Sequence, residues 1–429
     1  MKIHFIGIGG IGVSALAKFY LAKGDIVSGS DVVKSSITDD LIKRGVEVII
    51  GEQKKENIKD FDLIIFSPAI KQENPELKEA KEKGIKTMSY PEALGQLTKE
   101  YFTIAISGTH GKSTTTAMLG LILIKAGIDP TIIVGTKVKE FDNSNFRQGK
   151  SKYLVIEACE HEASFLNYWP KIIVVTNIEE DHLDFYSNLE NIQKAFNEFT
   201  SHLKENGVLI KRDDVKINFP NSIDFSLRNK EVEELKKIMK IPGDHNILNA
   251  LAALKVARTL NIKDEISYSA LSEYLGSWRR LEITNLEDFI LIDDYAHHPT
   301  EIISTLKAAK EKYLDKKIVC VFQPHQYQRT KFLFQDFVSV FKEALNDNLI
   351  EKLLLIDVYD VSGREGTGDE TEYTSERIAK EIDNKRAKRI ERVALKKELE
   401  GSEVVIIMGA GDVYNLSEEI KDGCNNTLK

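Results

Sequence analysis

The stretch from Thr103 to Leu119, TIAISGTHGKSTTTAML, constrains this chain more than any other: an apolar run, a glycine-hinged loop, a lysine and a hydroxyl cluster follow in unbroken order. Thr103 to Ile106 suits a buried strand, and Gly108 and Gly111 permit backbone dihedrals closed to other residues. The loop amides, from Gly108 through Thr109 and His110 to Gly111, can then turn inward around an anion. Lys112 adds a point charge, and Ser113 or Thr114 offers a hydroxyl to a magnesium ion. Ala117, Met118, Leu121 and Ile122 follow at helical spacing, which directs the positive end of a helix toward phosphate. The strict P-loop pattern is broken, because Ile106 occupies its first glycine position.

A strand–loop–helix of this kind belongs to a parallel α/β sheet. With 429 residues the chain exceeds one ordinary core, so two or three α/β domains are expected. A net charge of −8, with no basic stretch interleaved with aromatics, argues against nonspecific nucleic-acid binding. Cys159, Cys320 and Cys424 lie far apart in no C-x-x-C pattern, which suggests neither a disulfide framework nor a thiolate metal site and fits a reducing cytoplasm. The N-terminus superficially resembles an export signal, but Gly7, Gly9, Gly10 and Gly12 would break its helix. No apolar run approaches membrane-spanning length.

Those glycines suit a nucleotide turn. Lys2 to Ile6 reads as a strand, GIGGIG as the turn, Val13 to Lys23 as a helix, and Ile26 to Ser30 as a second strand ending at Asp31. G-x-G-x-x-G followed by an acidic residue points to a pyrophosphate and then a ribose, so NAD and an oxidoreductase are the obvious inference. The first unit is short, however, and its size also suits one nucleotide diphosphate. Its further strands are Val46 to Ile50, Leu63 to Phe66 and Ile85 to Met88, and Ser67 follows a strand end, where open parallel sheets place ligand contacts.

Beyond the phosphate loop, Tyr153 to Ala158 reads as a strand containing Glu157, and Lys171 to Asn177 as another leading to Asp181-His182. Glu157 and His182 thereby become oxygen and nitrogen ligands for magnesium near a transferred phosphate. Lys211 to Lys240 is charged and weakly patterned, and reads as a small surface excursion. The next helix carries Asn246 and Asn249 one turn apart, two amides suited to reading an adenine edge, although helix capping also explains Asn246. Arg280, in WRRLE, suits neutralising a transferring phosphoryl group. A third βα series then runs through DDYAHHPTEI to Gly409-Ala410-Gly411, a glycine pair read as turn chemistry.

Taken together, GIGGIG with Asp31, SGTHGKSTTT, EA-x-E with Ser164-Phe165, TNIEEDHLD, HNILNALAA, and DDYAHHPTEI with FQPHQYQRT resemble the Mur ligase family, amide-bond formers of bacterial cell-wall synthesis. The resemblance covers nearly the whole chain. It implies an α/β fold of three domains: a Rossmann-like UDP-sugar domain over 1–98, a central P-loop ATPase-like domain over 99–282, and a C-terminal Rossmann-like amino-acid domain over 283–429.

It further implies joining of L-alanine to the carboxylate of UDP-N-acetylmuramate through an acyl phosphate, with ATP and Mg2+. Gly9, Gly12, Asp31 and Ser67 would hold the sugar nucleotide. Lys112 and Arg280 would offset γ-phosphoryl charge, and Ser113 or Thr114, Glu157 and His182 would place magnesium. Asn246 and Asn249 would read adenine, and Asp294 would orient groups about the nucleotide. His297 and Arg329, with Tyr295 and His325 close by, would hold the incoming alanine. Gln326 stands where the family commonly has arginine, and Tyr90 where many relatives have arginine. A cytoplasmic monomer or weak homodimer, with no nucleic-acid or membrane partner, is the expectation. Two other readings stay open: a branch that attaches ready-made peptide, and an oxidoreductase built on GIGGIG, which leaves Lys112, Glu157 and His182 without a role.

Overall fold

The computed structural model describes residues 1–360 and 368–425. It contains three sheets, each built where the apolar runs of the sequence alternate with helices. The first is entirely parallel, in the spatial order Glu47–Ile50, Ile26–Asp31, Lys2–Ile6, Leu63–Phe66, Lys86–Ser89. Its order reverses between Lys2–Ile6 and Leu63–Phe66, the crevice at which open sheets receive ligands. GIGGIG leaves the first of these strands and Ser67 the second.

The central sheet runs Ser222–Phe225, Val208–Arg212, Ile172–Val175, Phe102–Ser107, Tyr153–Glu157, Thr131–Val138, Ser144–Arg147; the last two strands pair antiparallel. Phe102–Ser107 lies in the middle, so the phosphate loop leaves the sheet between the ends of Tyr153–Glu157 and Ile172–Val175. The third sheet runs Glu282–Asn285, Ile290–Asp294, Val404–Met408, Ile318–Phe322, Lys352–Leu355, Ala387–Arg389, parallel apart from its first pair. It is covered on both faces. Ile318, Cys320 and Phe322 pack with Phe337 and Phe341 on one side, while Val319 and Val321 pack with Leu354 and Ile407 on the other.

The chain divides into two compact units. One comprises Met1–Asp181, Phe185–Ile238 and Leu248–Tyr274 and holds the first two sheets; the other comprises His182–Asp184, Met239–Ile247 and the chain from Leu275, and holds the third. Within the first unit a buried polar network joins the two sheet layers. Lys18, 5% exposed, pairs with Asp40 at 2.6 Å and donates to Asn145 Oδ1 at 2.8 Å. Asn145 donates in turn to Ser14 Oγ at 2.9 Å, and Phe19 meets Phe146 edge to face. Helix Ile11–Ala22, which GIGGIG opens, is thereby fastened to strand Ser144–Arg147 of the central sheet.

The expectation for Lys211 to Lys240 is corrected. Far from a surface excursion, the segment begins in strand Val208–Arg212, adds the edge strand Ser222–Phe225, and closes with helix Val232–Ile238. Phe225 and Leu235 are buried, but a four-residue edge strand and a seven-residue helix are too short to show a period in a charged background. Among the described residues, no helix is long and apolar enough to cross a membrane.

Candidate active site

The phosphate loop forms as strand Phe102–Ser107 gives way to helix Lys112–Lys125. Gly108 (φ +128°) and Gly111 (φ +84°) both lie in the positive-φ region that favours glycine. Space as well as conformation demands them: a Cβ on Gly108 would stand 2.0 Å from Thr176 Oγ1, and one on Gly111 2.3 Å from Asn249 Oδ1. The loop is strapped to the segment after Ile172–Val175. The Thr109 amide donates to the Asn177 carbonyl at 3.1 Å, and the His110 amide to Asn177 Oδ1 at 2.8 Å. Those two N–H groups therefore do not turn inward as expected. An N–H satisfied by Asn177 is lower in free energy than one left bare, and among the described residues the first-turn amides of helix Lys112–Lys125 have no protein partner.

Lys112 is half-buried and folded back on its own loop. Its Nζ donates to the carbonyls of Gly108 at 2.6 Å and Thr109 at 2.9 Å, and lies 2.9 Å from Glu160 Oε2. Burial disfavours the ammonium, but the carboxylates of Glu160 and Glu157 outweigh it and raise the lysine's pKa. Lys112 is therefore fully protonated near neutrality. Glu160, a residue to which the sequence reading gave no role, is its counter-ion; the E-A-x-E spacing was the available signal. Between the two carboxylates, burial and then the charge of Glu160 push the Cys159 thiol up to about 12, which leaves it neutral and unreactive.

Ser113 Oγ donates to Glu157 Oε2 at 2.8 Å, and the Gly135 amide donates to the same oxygen at 2.8 Å. A Cβ on Gly135 would stand 2.7 Å from that oxygen, so strand Thr131–Val138 closely approaches the carboxylate and orients it. Thr114 is buried in the first turn beside Ser113, and Asn249 Oδ1 accepts from Thr115 Oγ1 at 3.2 Å.

At the first sheet, Gly7 and Ser67 come together across the crevice: a Cβ on Gly7 would lie 3.0 Å from Ser67 Cβ. Asp31 accepts from the Gly9 amide at 2.8 Å and from the Val33 amide at 3.1 Å, so its carboxylate closes the turn.

In the second unit Asp294 ends strand Ile290–Asp294 and accepts from the amides of Leu281 (2.6 Å) and Ala296 (2.7 Å). Burial raises its pKa from the ordinary 3.8 to about 6, Glu301 adding to the rise and Arg280 opposing it. Arg280 lies 3.6 Å from Glu301 and stacks on Tyr295, its Cζ 5.0 Å from the ring centre. His297 Nδ1 sits 3.1 Å from the Tyr295 carbonyl and 3.3 Å from Glu301. Its ring centre is 6.2 Å from that of His325, whose Nδ1 is 3.0 Å from Arg329 Nη1. The structure thus brings Tyr295, His297, His325 and Arg329 into one cluster, on the segments that follow strands Ile290–Asp294 and Ile318–Phe322. Asn246 directs its amide to the Pro242 carbonyl at 2.7 Å, and His182 adopts φ +53°.

A lysine-bearing phosphate loop beside an oriented carboxylate, followed by a histidine–arginine cluster, matches in order the Mur ligase family catalytic domain over residues 2–102, the Mur ligase middle domain over 106–232, and the Mur ligase glutamate ligase domain over 279–411. The chain belongs to the Mur ligase family.

Among individual Mur ligases, it is 40% identical to the UDP-N-acetylmuramate–L-alanine ligase of Clostridium tetani across 97% of both chains. It is also 40% identical to the ligase of the same name from Acetivibrio thermocellus, across 97% of this chain and 94% of that one. The crystal structure of the UDP-N-acetylmuramate–alanine ligase from Thermotoga maritima superposes with a TM-score of 0.82 at 27% identity, covering all of both chains. A murein peptide ligase from Psychrobacter arcticus shares the fold, with a TM-score of 0.71 at 23% identity over 99% of each.

Proposed function

We propose that this Mur ligase joins L-alanine to the carboxylate of UDP-N-acetylmuramate at the expense of ATP, a step in making peptidoglycan precursor. The observation that carries this reading is near-full-length similarity at 40% identity to L-alanine-adding ligases. The domain divisions are placed after residues 98 and 282.

A carboxylate resists attack by an amine until one of its oxygens becomes a leaving group. In the proposed reaction the sugar-acid oxygen attacks the γ-phosphorus, ADP departs, the alanine nitrogen attacks the acyl carbon, and inorganic phosphate leaves. Gly9, Gly12, Asp31 and Ser67 hold the UDP-sugar. The loop from Gly108 to Gly111 lies against the ATP phosphates with the first-turn amides of helix Lys112–Lys125 as donors, and Lys112 and Arg280 offset the charge that develops on the γ-phosphoryl.

Ser113, Thr114, Glu157 and His182 would hold Mg2+. The hard oxygens of Ser113 and Glu157, already 2.8 Å apart and aligned by Gly135, fit that ion. When bound, it supplies further charge neutralisation at the phosphates. Asn246 and Asn249 read adenine, and Asp294 orients groups about the nucleotide. His297, Tyr295 and His325 line the alanine pocket, and Arg329 pairs with the alanine carboxylate. We place the reaction in the cytoplasm, where ATP and a reducing environment suit the free thiols Cys159 and Cys320.

The test is phosphate release from ATP with UDP-N-acetylmuramate and, separately, L-alanine, glycine, L-serine or a tripeptide. Release is expected to be fastest with L-alanine. A requirement for the tripeptide, or for NAD, would overturn the assignment.

Arg329→Ala should raise the KM for L-alanine about 10- to 100-fold, the cost of a lost hydrogen bond to a charged group, with the KM for ATP nearly unchanged. Equal rises for both substrates would remove Arg329 from the pocket.

Asp294 gives a pH prediction. With the carboxylate acting ionised, kcat/KM should fall with acid around pH 6, and Asp294→Asn should abolish that limb. Stability moves the other way. Because the folded state holds the proton more tightly than the unfolded one, the free energy of unfolding contributed by Asp294 declines as pH rises from the ordinary 3.8 through about 6. Denaturant midpoints measured across that window, in wild type and Asp294→Asn, check this slope.

A further inference from the structure

Tyr90 stands where the nucleotide turn and the phosphate loop approach one another within the first unit. On one side it covers the turn: a Cβ on Gly12 would fall 2.8 Å from both Cζ and the hydroxyl oxygen of Tyr90. On the other side its hydroxyl feels the charge of Glu157, the carboxylate to which Ser113 Oγ donates at 2.8 Å, and that of Cys159. Its backbone is well anchored. Tyr90 opens helix Tyr90–Glu100, whose start is closed by the reciprocal Ser89–Glu92 capping box and stiffened by Pro91.

The polar end of this side chain is unused by the protein: among the described residues its hydroxyl makes no hydrogen bond. The hydroxyl is not sealed from solvent, so it is open to a ligand without first breaking a protein contact. Burial, and then the neighbouring Glu157 and Cys159, raise its pKa well above the ordinary value, so it is a neutral donor under working conditions and not a base. A donor between a pyrophosphate-binding turn and a phosphoryl-transfer loop faces the stretch that the sugar acid must bridge. That substrate is gripped by its diphosphate at one end and presents its carboxylate to the γ-phosphoryl at the other.

We propose that Tyr90 is a substrate-positioning residue that donates a hydrogen bond to the acid-bearing arm of the sugar nucleotide and aims its carboxylate at the phosphate loop. This rests on the functional reading above. An arginine there would bring a full charge, whereas tyrosine supplies a directed neutral donor from a ring already packed on Gly12. The discrimination it provides is between sugar nucleotides with and without the acid.

The probes are UDP-N-acetylmuramate and UDP-N-acetylglucosamine, which share the nucleotide and sugar but differ in the carboxylate arm. Their binding to the wild-type chain and to Tyr90→Phe is measured by calorimetry, with unfolding midpoints recorded alongside. The phenyl ring still covers Gly12, so the midpoint should stay with wild type. The variant is expected to bind UDP-N-acetylmuramate about tenfold more weakly, as for one hydrogen bond to a charged group, and UDP-N-acetylglucosamine unchanged. Its KM for the sugar acid should rise while the KM for ATP holds.

Equal weakening for both nucleotides would make Tyr90 a structural support of the turn, and no weakening for either would remove it from the site; each overturns the proposal. A wild-type chain that binds the two nucleotides differently yet releases no phosphate with L-alanine would sink the functional reading alone, because the binding comparison does not depend on turnover.

Discussion

Lys112→Ala is expected to lower turnover by about 10³-fold while leaving affinity for UDP-N-acetylmuramate within a few fold of wild type. The magnitude is that of removing a preorganised positive group from a phosphoryl-transfer site, about 10²- to 10⁵-fold in comparable cases. The structure fixes why this lysine has such leverage. Its ammonium is held between the carbonyls of Gly108 and Thr109 and the Glu160 carboxylate, so its charge is already in place at the loop before nucleotide arrives.

The same geometry creates a confounding effect. With Lys112 removed, Glu160, 4% exposed, loses its counter-ion, and an uncompensated buried charge costs about 3–5 kcal/mol. The double variant Lys112→Ala/Glu160→Gln separates the two: it should recover the unfolding midpoint but not the turnover. Single-turnover ADP formation and sugar-nucleotide calorimetry on both variants provide the readout. If sugar-nucleotide affinity collapses in the stabilised double variant, the division of labour between the first and central sheets is wrong.

Arg279→Ala should destabilise the second unit by about 3–5 kcal/mol, a larger effect than its neighbour Arg280 would have. Both Arg279 and Asp293 are 4% exposed, with Nε 3.4 Å from Oδ1. The guanidinium also donates to the Gly409 carbonyl and lies 5.0 Å from the ring centres of Tyr295 and Tyr414. Burial raises the pKa of Asp293 and Arg279 pulls it back, so alanine at 279 leaves a buried carboxylate with its main cation gone. At 2–4 °C per kcal/mol for a unit of this size, the midpoint of the second unit should fall by about 10 °C. Arg279→Met/Asp293→Leu, which removes both charges and keeps apolar volume, should recover most of the loss. A single-variant shift under about 1 kcal/mol would show that the pair is solvated and marginal.

The WRRLE motif illustrates how far a linear reading reaches. Two adjacent arginines are indistinguishable by composition, and Arg280 is the one expected at the chemistry. Residue 279 has φ +55° and residue 281 φ +50°, and this irregular backbone sends Arg279 inward and Arg280 to Glu301 and Tyr295. Glu160 is a similar case. It lies three residues past Glu157 in a visible motif, yet its partner is 48 residues away, and only the fold pairs them. In the hairpin of Thr131–Val138 and Ser144–Arg147 the group that orients Glu157 is a backbone amide, that of Gly135, and an amide leaves no mark in the letters.

What the sequence by itself determined is local. Glycines at 7, 9, 12, 108 and 111, the apolar runs of the parallel strands, and the lysine and hydroxyls after a strand all act within a few residues, through backbone freedom, burial period and helix-end polarity. What only the tertiary structure decided is which distant groups face those loops: Asn177 claiming two loop amides, Glu160 holding Lys112, Asn145 anchoring Lys18, and Tyr90 lying over Gly12. Such pairings are set by the order of strands in a sheet and by the packing of one layer on another. Residue types alone leave that order open, because many partners at long sequence separation satisfy the same polar group equally well until the core is closed around one of them.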